Sequence, residues 1–254
     1  MVIPLRDDNT TTRTPVLTIV LIVVNLAVFA FVQPHGNETS TRFDYEHAAI
    51  PCEVVHNRPL SSAQIASQSC TPAPFASARY SGAPLFAHKN VYLSVLVSMF
   101  LHGSWLHVLG NMLFLWVFGN NVEDRFGHVG YALFYLAAGF VAALAHIAAN
   151  STSTAPFLGA SGAIAGVMGA YLVLWPRARV LTWVAALLIL VVYLPAWLVL
   201  GAWFGFQFFT DPNTGVAWVA HVGGFVFGML VGFFLRDTLR ARRPPLPPGP
   251  SPWS

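Results

Sequence analysis

Ser161 stands in the sequence GASG, His221 in AHVGG, and His107 and Asn111 in HGSWLHVLGN, each inside or at the edge of an otherwise apolar run. Polar side chains in such runs are unfavourable in lipid and require a reason. A serine hydroxyl activated by an imidazole attacks a carbonyl carbon, and the charge that grows on the carbonyl oxygen needs hydrogen-bond donors. Ser161 and His221 are the residue types for nucleophile and base. His107 and Asn111, four positions apart, share one helix face and can donate to an oxyanion together with the Ser161 backbone N–H. Ser161 also begins an apolar helix, where unpaired N–H groups and the positive dipole end favour a developing anion. The chemistry these groups suit is acyl transfer. His102, five residues before His107, is a weaker candidate that orders the loop or a water.

Each residue alone has a plainer reading. A membrane-helix serine commonly bonds a carbonyl one turn back, an asparagine commonly links helices, and a lone histidine is often a satisfied core group. Their joint placement in one layer is what the catalytic reading explains. His146 and His128 read as structural or interfacial, and Glu123, Asp124 and Arg125 as a solvated turn.

The elements that must position these groups follow from composition. Of 254 residues 56% are hydrophobic and 9% charged, against roughly 25% charged in an average soluble domain. The apolar runs reach or approach the ~20 residues that cross a bilayer core about 30 Å thick. The sequence therefore predicts an all-α polytopic membrane protein with six helices: Val16–Val32, Trp105–Asn120, Gly130–Ala149, Gly162–Trp175, Leu181–Phe209 and Gly215–Leu235. Residues 1–15 are expected to be a cytosolic N-terminal segment, 16–235 the six-helix domain with a long polar outer loop at 33–104, and 236–254 a cytosolic proline-rich tail. The first run lacks a small-residue cleavage site near its end and reads as a retained helix. Basic residues flanking the spans place both termini in the cytosol, in a multi-pass protein of the plasma (inner) membrane of a prokaryote. A formal charge of +3, collected beside apolar segments, argues against a nucleic-acid partner. The lipid bilayer is the expected environment.

Counted from the cytosolic helix ends, Ser161 and His221 each lie 14 residues up, a rise of about 21 Å that leaves them roughly 9 Å below the outer edge of the core. His107 and Asn111 fall in the same layer. The fourth helix is then too short to span, and 150–160 must enter the membrane as non-helical backbone, which implies a water-filled cavity open to the outside. Gly224 and Gly228 continue the face begun by His221, and Gly162 lines the fourth helix, so small residues let the two helices approach closely enough for hydroxyl and imidazole to meet.

Three blocks, HGSWLHVLGN at 102–111, GASG at 159–162 and AHVGGFVFG at 220–228, in this order on the second, fourth and sixth helices, resemble the rhomboid family of intramembrane serine proteases. The resemblance covers roughly 16–235. It implies a six-transmembrane-helix bundle that cleaves transmembrane helices of membrane-protein substrates near their outer ends. It further implies a Ser161/His221 dyad, oxyanion donors at His107 and Asn111, a tightly packed Gly159, and no metal or cofactor. The sequence departs from the family in having no Trp in the loop before Trp105 and Ala165 where many members carry an aromatic residue. The alternative is a non-catalytic rhomboid-like binder of transmembrane clients. A metal site on His102, His107 and His221 is disfavoured because no HExxH and no intramembrane carboxylate accompanies them.

Cys52 and Cys70, the only cysteines, both fall in the loop assigned to the oxidising side and are expected to form a disulfide, with two free thiols as the alternative. Substrate identity and oligomeric state are not encoded legibly.

Overall fold

The computed structural model describes residues 2–71, 82–184, 190–211 and 217–241. The chain runs β1 (Val2–Asp7), α1 (Val16–Ala27, extended by a π-helical turn over Val28–Val32), α2 (Asn37–His47), α3 (Pro51–His56), α4 (Ser62–Ser67), α5 (Leu93–Ser98), α6 (Trp105–Phe126), α7 (His128–Ala149), α8 (Ser161–Leu174), β2 (Arg179–Val184), β3 (Leu190–Pro195), α9 (Ala196–Gln207) and α10 (Trp218–Ala241). Among the described residues, α7 and the 218–238 part of α10 are long and apolar enough to cross a membrane, and α1, α8 and α9 are shorter apolar helices.

α8 is the axis of the molecule. Every residue from Gly162 to Tyr171 is buried, with α6, α7 and α10 packed around it. The approach to α10 is backbone against backbone. A Cβ on Gly224 would overlap the carbonyl oxygen of Gly162, and one on Gly228 that of Gly166, while a Cβ on Gly162 would lie 2.6 Å from Ala142 Cβ. Helix backbone cannot yield as a side-chain tip can, so a methyl here forces the two helices apart, at about 1–3 kcal/mol. Gly228→Ala is therefore expected to lower the melting temperature and to reduce any activity that needs α8 and α10 in register. Unchanged melting would contradict this packing.

Four corrections to the sequence reading arise. The molecule is mostly helical rather than all-α, because β1, β2 and β3 form an antiparallel sheet in that order, with Arg179 opposite Pro195 and Val184 opposite Leu190. Hence 181–209 is not one helix. It is a strand pair followed by the 12-residue α9, with 185–189 outside the described residues. Apolarity alone does not separate strand from helix in such a run, and β-branched and aromatic residues favour the strand. The 1–15 segment contributes β1. Lastly, α6 continues to Phe126, and α10 continues past 235 to Ala241, so the tail at 236–254 is helical at its start. The remainder of that tail, and the Gly215 start expected for the sixth helix, lie outside the described residues.

Glu123 was expected in a solvated turn, yet it is 1% exposed. Its carboxylate accepts hydrogen bonds from the backbone N–H groups of Leu17 and Thr18 and from the Thr18 hydroxyl, and it bonds His128 Nδ1 at 2.6 Å. Pro15 at the N-cap of α1 makes no side-chain cap, so the orphan donors of that helix are satisfied from α6 instead. Asp124 caps the preceding turn through Thr12 and Arg13, and Arg125 lies over the Trp175 ring at 5.3 Å. Asp7 ties β1 to the same end of the bundle through Asn121 and Tyr171.

The described parts of the loop at 33–104 are built rather than open. Cys52 and Cys70 are joined in a disulfide, and a buried Lys89–Glu53 ion pair at 2.6 Å holds α3. Lys89 also donates to the carbonyls of Tyr45 and Ala48, and burial pulls its pKa down against the opposing pull of Glu53. Asp44 on α2 has a buried Oδ1 with no hydrogen-bond partner among the described residues. Burial pushes its pKa up from 3.8 to about 6, partly offset by His47. Between those two values the folded state holds a proton that the unfolded chain has lost, so this residue's contribution to stability falls as pH rises through the window. Asp44→Asn is thus expected to raise the melting temperature above about pH 6 and to change nothing below about pH 4. A uniform shift at both ends, read by melting in detergent, would refute the assignment.

Candidate active site

The site lies at the end of the bundle opposite the sheet, where α6, α8 and α10 begin. Ser161 opens α8, so the N–H groups of its first turn have no partner within the helix. The backbone before it, 150–160, is non-helical and is pinned from outside. Cys52 N–H donates to Ser153 O at 3.0 Å, Phe157 N–H to Ala49 O at 2.9 Å, and Gly159 N–H to Ser98 O at 2.8 Å. Ser98 Oγ accepts from Ala49 N–H at 2.6 Å. Ser98 therefore links the outer loop to the turn that carries Ser161, a role sequence reading did not assign.

Gly159 has φ +129°, where side chains are strained, and a Cβ there would lie 3.0 Å from His107 Cε1 and Nε2 and 3.6 Å from Ser161 Oγ. Glycine is required on both counts. The same measurement places the His107 ring beside Ser161. Ser104 caps α6 by accepting from His107 N–H at 3.1 Å, which fixes His107 in the first turn of that helix. Gly103 N–H donates to His107 Nδ1, a long bond at 3.4 Å. An accepting Nδ1 leaves the proton on Nε2, the atom facing Gly159. One turn further along α6, Asn111 Nδ2 is buried with no hydrogen-bond partner among the described residues. His102 is 1% exposed and sits edge-on to His107 at 5.1 Å between ring centroids. Its backbone is clamped by Gln33, whose amide exchanges two hydrogen bonds with the His102 N–H and carbonyl at 2.9 and 3.1 Å.

His221, in the first turn of α10, has Nε2 2.8 Å from Ser161 Oγ. Its other ring nitrogen, Nδ1, is 2.7 Å from Gln207 Oε1 at the end of α9, and Trp203 flanks the ring at 5.7 Å between centroids. Gln207 was missed in the sequence because it lay in a run read as uniformly apolar. A buried amide in such a run was nevertheless a signal of the same kind that singled out Asn111. Ala165 is fully buried and makes no part of the histidine's polar surroundings. On its side toward α5 and α7, Ser161 borders a small cavity of ≈ 30 Å³ lined by Val95, Ser98, Met99, Gly139 and Ala142 among others. His146 packs on Phe157 at 4.8 Å between ring centroids.

Residues 89–238 match the profile of the Rhomboid domain. The chain is 28% identical over 163 residues to Rhomboid protein 1, mitochondrial, of Saccharomyces cerevisiae, covering 59% of this chain and 44% of that one. It is 33% identical over 156 residues to RHOMBOID-like protein 1 of Arabidopsis thaliana, covering 59% and 36%. It is 32% identical over 136 residues to Rhomboid protease GluP of Bacillus subtilis, covering 53% and 24%. The chain spans less than half the length of each of these relatives.

Proposed function

This chain belongs to the rhomboid family and is an integral membrane protein, and from that premise we propose that it is an intramembrane serine endopeptidase cutting transmembrane helices near their outer ends. The observation that carries the reading is the 2.8 Å separation of Ser161 Oγ and His221 Nε2, at a helix start with donors of a second helix beside it. As Oγ bonds to the scissile carbonyl carbon, its proton passes to Nε2. The negative charge on the carbonyl oxygen is met by the Ser161 N–H, His107 Nε2–H and the Asn111 amide. Collapse of the tetrahedral species breaks the C–N bond, and Nε2–H protonates the leaving amine. Water then adds to the acyl-serine with His221 again taking its proton, releasing the acid and restoring the hydroxyl.

In this reading α1, α6, α7, α8, α9 and α10 are the six membrane helices, of which α8 and α9, at 14 and 12 residues, are shorter than a full span. The sheet lies on the cytosolic side with both termini, where Arg6, Arg13, Arg125, Arg177 and Arg179 collect. The disulfide-bonded loop faces outward, in a prokaryotic plasma membrane the oxidising side. The partners are single transmembrane helices presented from the bilayer, and no metal or cofactor takes part in the steps above.

The test is purified protein in liposomes with a panel of single-span substrates, alongside fluorophosphonate labelling. Cleavage within the outer part of a substrate helix and labelling at Ser161 are expected. Stable capture of the substrates with neither cleavage nor labelling would establish a client-binding protein instead.

A further inference from the structure

The base of this site has a partner of its own on α9. Resting on the protease reading, we propose that Gln207 is a positioning residue that locks the imidazole of His221 in the tautomer able to take the serine proton, making the working unit Ser161–His221–Gln207. Two distances define the arrangement. Gln207 Oε1 is 2.7 Å from His221 Nδ1, and Gln207 Nε2 donates to the Trp203 carbonyl at 3.0 Å. The second fixes the orientation of the amide, since turning it over would set two oxygens against each other and leave the NH2 group facing the ring. With the oxygen toward the ring, Nδ1 must carry the proton. Nε2 is then a bare lone pair, 2.8 Å from the Ser161 hydroxyl.

The amide does this without charge. Gln207 is 8% exposed, and an ionised carboxylate at such a position is disfavoured by desolvation until the imidazole protonates beside it. A neutral carbonyl gives up part of the electrostatic stabilisation of the imidazolium but keeps the geometry and the tautomer. When Nε2 takes the serine proton, the Nδ1–H···Oε1 bond becomes a bond from a cation and strengthens. Trp203, one turn earlier on α9, contributes both the carbonyl that orients the amide and the ring that packs against His221. The α9 segment from 203 to 207 thus supplies both a hydrogen-bond acceptor and an aromatic ring to the imidazole.

The closing experiment compares full-length wild type, Gln207→Met and Gln207→Glu in detergent. Methionine keeps the length and apolar packing but has no strong acceptor, and glutamate keeps an oxygen for Nδ1–H. The readouts are the second-order rate of fluorophosphonate labelling at Ser161, kcat and KM on a model substrate, and melting temperature. Gln207→Met is expected to label about 10- to 100-fold more slowly, the worth of one hydrogen bond to a charged group, with a matching loss in kcat and little change in KM. Gln207→Glu is expected to recover most of that labelling rate. Wild-type labelling by Gln207→Met would overturn the proposal. So would an equal loss in both variants accompanied by lowered melting, which marks a packing residue. If wild type itself is not labelled, it is the protease reading that has failed, a result separate from any difference between the variants.

Discussion

Ser161→Ala and His221→Ala are each expected to reduce substrate cleavage by on the order of 10⁶-fold, because a nucleophile and its base work as one unit and losing either removes most of what both supply. The two substitutions should therefore not add. The double variant should be no slower than the singles, leaving only the residual acceleration from bound substrate and oxyanion donors. Neither change should unfold the protein. Ser161 lies at the first position of α8, where Ala160 and Gly159 already set the backbone, and alanine propagates a helix better than serine does. His221 is only partly buried and hydrogen-bonds through its two ring nitrogens to Ser161 and Gln207. The measurement is initial cleavage rate in liposomes with melting temperature alongside. Substantial turnover by either folded variant would end the assignment of the pair.

How far the site could be read from sequence depended on whether a residue's surroundings lie close in the chain or distant in it. Serine, histidine and asparagine in apolar runs are anomalous wherever they occur, and helical spacing puts His107 and Asn111 on one face without any tertiary information. Gly162, Gly224 and Gly228 likewise report close helix approach through their mere smallness. Gln207 was anomalous in the same sense but sat at the end of a run whose strand content was invisible, so its distance from His221 could not be estimated. Glu123 is the opposite case. Flanked by Asp124 and Arg125, it had the local pattern of a solvated turn, whereas its carboxylate is consumed by the start of α1 more than a hundred positions earlier. Only Pro15, a helix start with no cap of its own, hinted that a distant acceptor was needed. The sheet was missed for a related reason: β1 is six residues long and gains its meaning only by pairing with β2.

The oxyanion donors give the second large effect. Asn111→Leu and His107→Ala are each expected to lower kcat by about 10² to 10³, with a much smaller change in KM, since the charge they meet exists only after the serine has attacked. The expectation rests on different observations for the two residues. For His107, the Gly103 N–H holds Nδ1 as acceptor and so leaves Nε2–H as donor, and the ring stands within one methyl's reach of Ser161 Oγ across Gly159. For Asn111, the amide nitrogen is buried with no partner among the described residues, a state that costs about 1–3 kcal/mol in a resting protein and is relieved when an acceptor arrives. Leucine keeps the branching at Cγ and the number of side-chain heavy atoms of asparagine and removes that penalty. Asn111→Leu should thus be at least as stable as wild type while far slower, a combination that a packing role does not produce. His102→Ala should be milder in rate, because the hydrogen bonds to Gln33 come from the His102 backbone and survive the change. Single-turnover kinetics in detergent, with melting curves for each variant, decide the matter. Full kcat in both Asn111→Leu and His107→Ala would remove them from the oxyanion site, and a rate loss in Asn111→Leu that only tracks a lower melting temperature would return Asn111 to a packing role.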